Sequence, residues 1–214
     1  MNISKDQYLL YAVTDRKWVG SSTLARQVED AILGGAGIIQ LREKELEENA
    51  FIEEAVEIGK LCRRYSVPLI INDNVRVALE AGADGVHVGQ SDLDAADVRK
   101  LIGDNRLLGV SAHSLKEARL AVQHGADYLG VGAAFATGSK ADVNVIDHRV
   151  YREITDSIQL PVVAIGGITL ENISSFKETG ISGIAVISAL FGQPDIKLAA
   201  EQLKHEAARI LTCC

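Results

Sequence analysis

Apolar positions along the chain gather into short runs that recur at fairly even intervals. The runs are Leu9–Val13, Ile38–Leu41, Leu69–Asn72, Gly85–Val88, Leu107–Ser111, Tyr128–Val131, Val162–Ile165 and Ile184–Ile187. Each is too short for a helix, and most are rich in β-branched residues, which is the pattern of a parallel strand buried on both faces. Between them lie segments with helical spacing. Ser22–Leu33 puts Leu24, Val28, Ile32 and Leu33 on one face, and Ala50–Tyr65 does the same with Phe51, Ala55, Ile58 and Leu61. Ser114–His124 and Asn172–Thr179 are shorter, and Ile196–Leu211 reads as a final amphipathic helix. A weak repeat runs through the strand starts: AGADGVHVG at 81–89, HGADYLGVG at 124–132 and the looser TGISGIAVI at 179–187. Strands alternating with helices predict a parallel sheet, and eight such units in a chain of 214 residues predict a closed (β/α)8 TIM barrel, an α/β fold with one domain over 1–214. An open doubly wound sheet would carry a Gly-rich fingerprint after the first strand, and this chain has none.

Composition narrows the partners. The net charge is −7 and no Lys/Arg-rich stretch occurs, so a nucleic acid is not an expected ligand. Small phosphorylated molecules would have to be held by a few local cations, backbone N–H groups and a metal. Cys62, Cys213 and Cys214 show neither metal-site spacing nor a disulfide framework, which fits a reducing cytoplasm. The opening MNISKDQYLL lacks a basic stretch followed by a long apolar run, so it is not expected to be a signal peptide. No apolar stretch approaches the roughly 18 residues of a membrane span, so no membrane association is expected. The sequence is compatible with a homo-oligomer without requiring one.

In a barrel of this kind the chemistry gathers in the loops after the strands. The second strand runs into Gln40-Leu41-Arg42-Glu43-Lys44, and alternation puts Gln40, Arg42 and Lys44 on one side. Facing the axis, they form a polar, doubly cationic row at the mouth; facing solvent, they are a charged strand end. The third and fourth strands lead to Asn72-Asp73 and to Gly89-Gln90-Ser91-Asp92. The two acids reach one rim, where they suit Mg²⁺, which binds through one or two carboxylates plus phosphate and water. Helix capping explains the same two acids equally well. The fifth strand ends at Ser111, and Ser114 with Glu117 reads as a capping box, leaving Ser111 and His113 for other roles. The sixth is followed by a long connection to about Ile146 that carries Thr137, Gly138, Ser139 and Lys140. The seventh ends in Gly166-Gly167. After the eighth, Ile187-Ser188 opens a short helix, Ser188–Phe191, at the usual place of a phosphate site in this fold. The rim therefore holds two anion sites, which points to two phosphorylated substrates, one of them a diphosphate.

The ordered motifs QLREK (40–44), IIND (70–73), GADGVHVGQSD (82–92), GVSAHS (109–114), TGSK (137–140), AIGGI (164–168) and GIAVIS (183–188) resemble those of the thiamine phosphate synthase family. The resemblance runs from Tyr11-Ala12-Val13-Thr14-Asp15 to about Leu190. It implies a transferase that condenses an aminopyrimidine methyl diphosphate with a thiazole phosphate, giving thiamine phosphate and pyrophosphate. By that resemblance Gln40, Leu41, Arg42, Glu43, Lys44, Asn72, Ser111 and Lys140 would contact the pyrimidine diphosphate, with Arg42, Lys44, Ser111 and Lys140 serving catalysis. Asp73 and Asp92 would hold Mg²⁺. Thr137, Gly138, Ser139, Gly167, Ile187 and Ser188 would hold the thiazole phosphate. The chain departs from the usual family pattern at Ala136, Ser139 and Asn74, and has Lys140 where two lysines are common. Two rivals remain: a thiazole tautomerase of the same superfamily using His113 as acid and base, and a non-catalytic regulator that binds a phosphate ligand.

Overall fold

The computed structural model describes residues 3–90, 92–136 and 145–212. Eight parallel strands close into a barrel in chain order: β1 Leu10–Val13, β2 Ile38–Leu41, β3 Leu69–Asn72, β4 Gly85–Val88, β5 Leu107–Ala112, β6 Tyr128–Val131, β7 Val162–Ile165 and β8 Gly183–Val186. The expected barrel is present, with each strand within about a residue of its expected bounds. Closure comes from β8 pairing with β1, where Leu10 lies opposite Ile184.

The helical layer consists of α1 Lys5–Tyr8, α2 Leu24–Leu33, α3 Glu48–Arg64, α4 Val75–Glu80, α5 Ala95–Ile102, α6 Leu115–Gln123, α7 His148–Ser157, α8 Ser188–Phe191 and α9 Ile196–Leu211. One expected helix is corrected. In place of a helix over Asn172–Thr179 the chain forms a single 3₁₀ turn, Ile173–Phe176, whose Ile173 and Phe176 are buried. The adjacent Ser174 and Ser175 favour local turns over helix, since serine hydroxyls compete for backbone groups, and Ser175 Oγ indeed donates to the Asn172 carbonyl at 2.7 Å. Among the described residues, no helix is long and apolar enough to cross a membrane.

Strand alternation divides the core in two. Leu10, Ala12, Ile39, Leu41, Ile71, Val86, Leu108, Leu129 and Ala164 face outward and pack against the helices. Tyr11, Val13, Ile38, Ile70, Leu107, Tyr128, Val163 and Ala185 fill the barrel interior. The repeat also acquires a meaning. Asp84 and Asp127, the acids of its first two copies, accept hydrogen bonds from Leu69 N (2.8 Å) and Leu108 N (2.7 Å), and their own N–H groups donate to the carbonyls of the same residues. Each copy thus fastens the start of its strand to the preceding one at the face away from the mouth. In the third copy Ser182 keeps the backbone half of this contact, donating to the Val162 carbonyl at 2.7 Å.

Candidate active site

The C-terminal ends of the strands surround a cavity of about 530 Å³. Gln40, Arg42, Lys44, Asn72, Asp73, Asp92 and Ser111 line one part of it, and Gly167, Ile187 and Ser188 another. Gln40 near the end of β2 and Arg42 and Lys44 just beyond it therefore all reach the cavity, as the sequence pattern suggested. Leu41 lies between them and is fully buried against the helices, so its backbone alone can reach a ligand. A neighbouring recess of about 650 Å³ shares Arg42, Lys44 and Ser188 and adds Asp15, Lys17 and Trp18. Thr137, Gly138, Ser139 and Lys140 lie outside the described residues.

The loop after β2 is braced by charge. Glu43 is buried; it accepts from Arg16 Nε (2.6 Å) and from the N–H groups of Lys44 (2.7 Å) and Glu45 (2.8 Å). Burial alone would raise its carboxyl, but the Glu45 N–H, the Arg16 guanidinium and the Lys44 N–H outweigh it and hold the group below the usual range. Glu43 therefore shapes the loop that carries Lys44. Arg42 is held from both ends: its N–H donates to Thr14 Oγ1 at 3.0 Å, and Nη1 lies 3.4 Å from Asp15 Oδ2.

The two acids prove to be free of capping duty. Asn74 caps α4, its side chain accepting from Val77 N, and Asp94 caps α5, accepting from Ala96 N. Asp73, one residue before its neighbouring cap, has a left-handed backbone with φ 62°, a strained conformation that in other proteins clusters at functional sites. Its Oδ2 is 2.7 Å from Lys44 Nζ, and Asn72 Nδ2 donates to its Oδ1 at 2.6 Å. Burial raises the Asp73 carboxyl above its ordinary value; Lys44 opposes that and the adjacent Asp92 reinforces it. Asp92 accepts from Gly89 N at 2.6 Å. Two apposed carboxylates favour a cation between them. Among the described residues no group of three or more His, Cys, Asp or Glu gathers, so no protein cage for a metal is built there. A pair of acids on the wall of a cavity large enough for a phosphorylated ligand is the donor set that suits Mg²⁺, which takes its remaining ligands from phosphate and water.

Gly166 and Gly167 have φ 104° and 63°, and a Cβ on Gly167 would press on the Ala136 carbonyl at 2.6 Å. Both the turn and the close approach of the loop after β6 require glycine there. Ser188 opens α8 at the cavity wall, as expected. Ser114 caps α6, but the expected reciprocal box is altered: Glu117 reaches past Ser114 to His113, accepting from its N–H at 2.8 Å and lying 2.9 Å from its Nδ1. His113 lines the cavity, held by that contact.

Sequence reasoning passed over three polar side chains under the mouth. Tyr11 and Tyr128 stood inside apolar runs and read as core, and His87 read as a buried interior residue. All three line the cavity floor. The signal was their phase: each shares its strand face with a cavity residue or a glycine two positions on.

Comparison with known proteins agrees with this geometry. The family described as Thiamine monophosphate synthase matches residues 10–190. The chain is 50% identical over 200 residues to a thiamine-phosphate synthase of Ruminiclostridium cellulolyticum, covering 94% of this chain and 95% of that one. It is 50% identical over 197 residues to the thiamine-phosphate synthase of Alkaliphilus oremlandii, covering 92% and 94%. Among solved structures, thiamine phosphate pyrophosphorylase from Pyrococcus furiosus superposes with a TM-score of 0.89 at 37% identity, over 97% of this chain and 98% of that one.

Proposed function

The chain belongs to the thiamine monophosphate synthase family, and from that membership we propose that it joins an aminopyrimidine methyl diphosphate to a thiazole phosphate, forming thiamine phosphate and releasing pyrophosphate. The bond from the pyrimidine methylene carbon to the diphosphate oxygen breaks, and its electron pair leaves with pyrophosphate. The thiazole nitrogen lone pair then forms the new carbon–nitrogen bond. No oxidant and no covalent nucleophile from the protein are needed, because the amino group of the ring spreads the positive charge left on the methylene.

The protein's work is to receive charge on the leaving group. Arg42 and Lys44 face the cavity where that charge grows, and preorganised cations at a developing anion are a large source of rate. Lys140 joins them in this reading. Asp73 and Asp92 would hold Mg²⁺, which when bound supplies positive charge to phosphate oxygens. Gln40, Asn72 and Ser111 hold the pyrimidine, with Glu43 and Leu41 setting the strand end that carries Arg42 and Lys44. Thr137, Gly138, Ser139, Gly167, Ile187 and Ser188 hold the thiazole phosphate. The setting is cytoplasmic, where phosphorylated intermediates are retained.

One observation supports this most: Asp73 and Asp92 stand side by side at the mouth with Lys44 on Asp73, while their neighbours Asn74 and Asp94 do the helix capping. The test mixes the protein with both phosphorylated substrates and Mg²⁺ and measures pyrophosphate. Release that requires both the protein and the ion is expected. Absence of release, with isomerisation of the thiazole instead, would overturn the reading in favour of a tautomerase.

A further inference from the structure

Beneath the mouth a continuous polar chain crosses the barrel. Gln40 Nε2 donates to Tyr11 Oη at 2.8 Å, and the hydroxyls of Tyr11 and Tyr128 are 2.7 Å apart. Tyr128 Oη lies 3.1 Å from His87 Nδ1, and His87 Nε2 lies 3.0 Å from Ser111 Oγ. Tyr11, Tyr128, His87 and Gln40 are all buried. The chain links Gln40 on β2 to Ser111 on β5, and both ends face the cavity. The sequence makes room for it. A Cβ on Gly109 would overlap the Tyr128 ring and His87, and one on Gly130 would press on His87. Two adjacent strands thus omit a side chain at the level where the imidazole sits.

Proton bookkeeping gives the chain a direction. A phenol has one proton to donate. Burial raises both Tyr11 and Tyr128 well above the ordinary tyrosine value, so each keeps that proton. With Gln40 Nε2 donating to Tyr11, the Tyr11 proton goes to Tyr128, and the Tyr128 proton to His87 Nδ1. A neutral His87 imidazole then carries its proton on Nε2 and donates to Ser111, whose own O–H turns away from His87. The opposite order would turn the Gln40 amide over and make Ser111 donate to His87.

We propose that Tyr11, Tyr128 and His87 are positioning residues, a single-file hydrogen-bond chain that makes Gln40 offer its Oε1 and Ser111 its hydroxyl proton to an aminopyrimidine edge. The inference rests on the reaction proposed above and deepens it by naming what selects the ring. An exocyclic amine needs an acceptor and a ring nitrogen needs a donor; a 4-oxo ring presents the reverse polarity. A site with fixed polarity rejects the wrong edge because buried groups are left unpaired.

The test compares kcat/KM for the 4-amino and 4-oxo pyrimidine methyl diphosphates in the wild type, Tyr128→Phe and Tyr11→Phe. Intrinsic reactivity of the two rings cancels when their ratio is compared between proteins. The amino-over-oxo ratio is expected to fall about tenfold or more in both variants. A separate measurement, ¹⁵N NMR of the ring nitrogens in the intact wild type, with His87 identified by a His87→Gln variant, should show the Nε2–H form, giving way to a mixture in Tyr128→Phe. Equal loss on both substrates with an unchanged ratio would mean that the tyrosines only support the fold, and an Nδ1–H imidazole in the wild type would reverse the direction; either result overturns the proposal. Failure of the wild type to release pyrophosphate from the amino substrate would instead sink the reaction, and the tautomer measurement would then judge the chain alone.

Discussion

Arg99 is expected to hold the far end of the barrel together, and removing its guanidinium should cost stability without touching the mouth. Its Nε and Nη2 donate to the Gly125 carbonyl at 3.1 and 2.8 Å, and Nη1 donates to Gly103 O at 2.7 Å and to Arg106 O at 2.8 Å. Nη2 also meets Asp127 Oδ2 at 2.5 Å. These contacts tie the ends of α5 and α6 to the starts of β5 and β6. The three carbonyls each contribute about 1 kcal/mol, the usual net value of a hydrogen bond. The ion pair adds less than about 1 kcal/mol, because the Asp127 side chain is 43% exposed. Arg99→Met keeps the alkyl stem and loses the fork, so it should destabilise by about 3 kcal/mol. For a chain of this size that lowers Tm by about 6–12 °C. The assay is a thermal melt followed by circular dichroism, paired with pyrophosphate release at 25 °C, where the rate should match the wild type. A Tm within about 2 °C of wild type, or a slower reaction at unchanged Tm, would refute the reasoning.

Other expectations follow from the same structure. Lys44→Ala should lower kcat by about 10²–10³-fold, with Tm nearly unchanged because the side chain is half exposed. Asp92→Ala and Lys140→Ala should each cut turnover strongly with folding intact by circular dichroism, and near-normal rates in both would remove the leaving-group assignment. Asn74→Ala removes the cap on Val77 N and should cost about 1 kcal/mol, or roughly 2–4 °C, with kcat retained. Glu43 has a depressed carboxyl, so it contributes stability above its unfolded value that disappears as pH falls through its folded one. Glu43→Gln should therefore lose less stability than the wild type between about pH 5 and pH 3, as read from urea midpoints; parallel curves would count against the Arg16–Glu43 brace.

The barrel was readable because each strand is a short apolar run and several of the segments between them, such as Ser22–Leu33 and Ala50–Tyr65, keep a helical period. The phase of the strands was harder to read. Leu10 and Tyr11 are both buried, one against helices and one inside the barrel, so hydrophobicity does not say which face is which. That is why Tyr11 and Tyr128 passed as core, and His87 as a buried or interior residue without a role, while Gln40 and Arg42, polar residues at a strand end, stood out. The acids at Asp73 and Asp92 were visible as residue types, but their role was not. Capping depends on the backbone of one residue, and the shift to Asn74 and Asp94 shows only in three dimensions. Likewise the Glu117 contact with His113 cannot be told from a capping box by spacing, since both place the acid within one helical turn.

The separation between the acids and the caps has a practical meaning for anyone altering this barrel. Helix starts and reactive groups are carried by different letters of the same loop, so the two can be edited apart. Libraries that vary Asp92 freely, and Asp73 among residues that accept its left-handed backbone such as Asn and Gly, while keeping Asn74 and Asp94 fixed should return folded proteins at high frequency, including those with no activity. The loops after β3 and β4 can then be treated as exchangeable sockets, in which a different leaving group could be sought while α4 and α5 stay anchored.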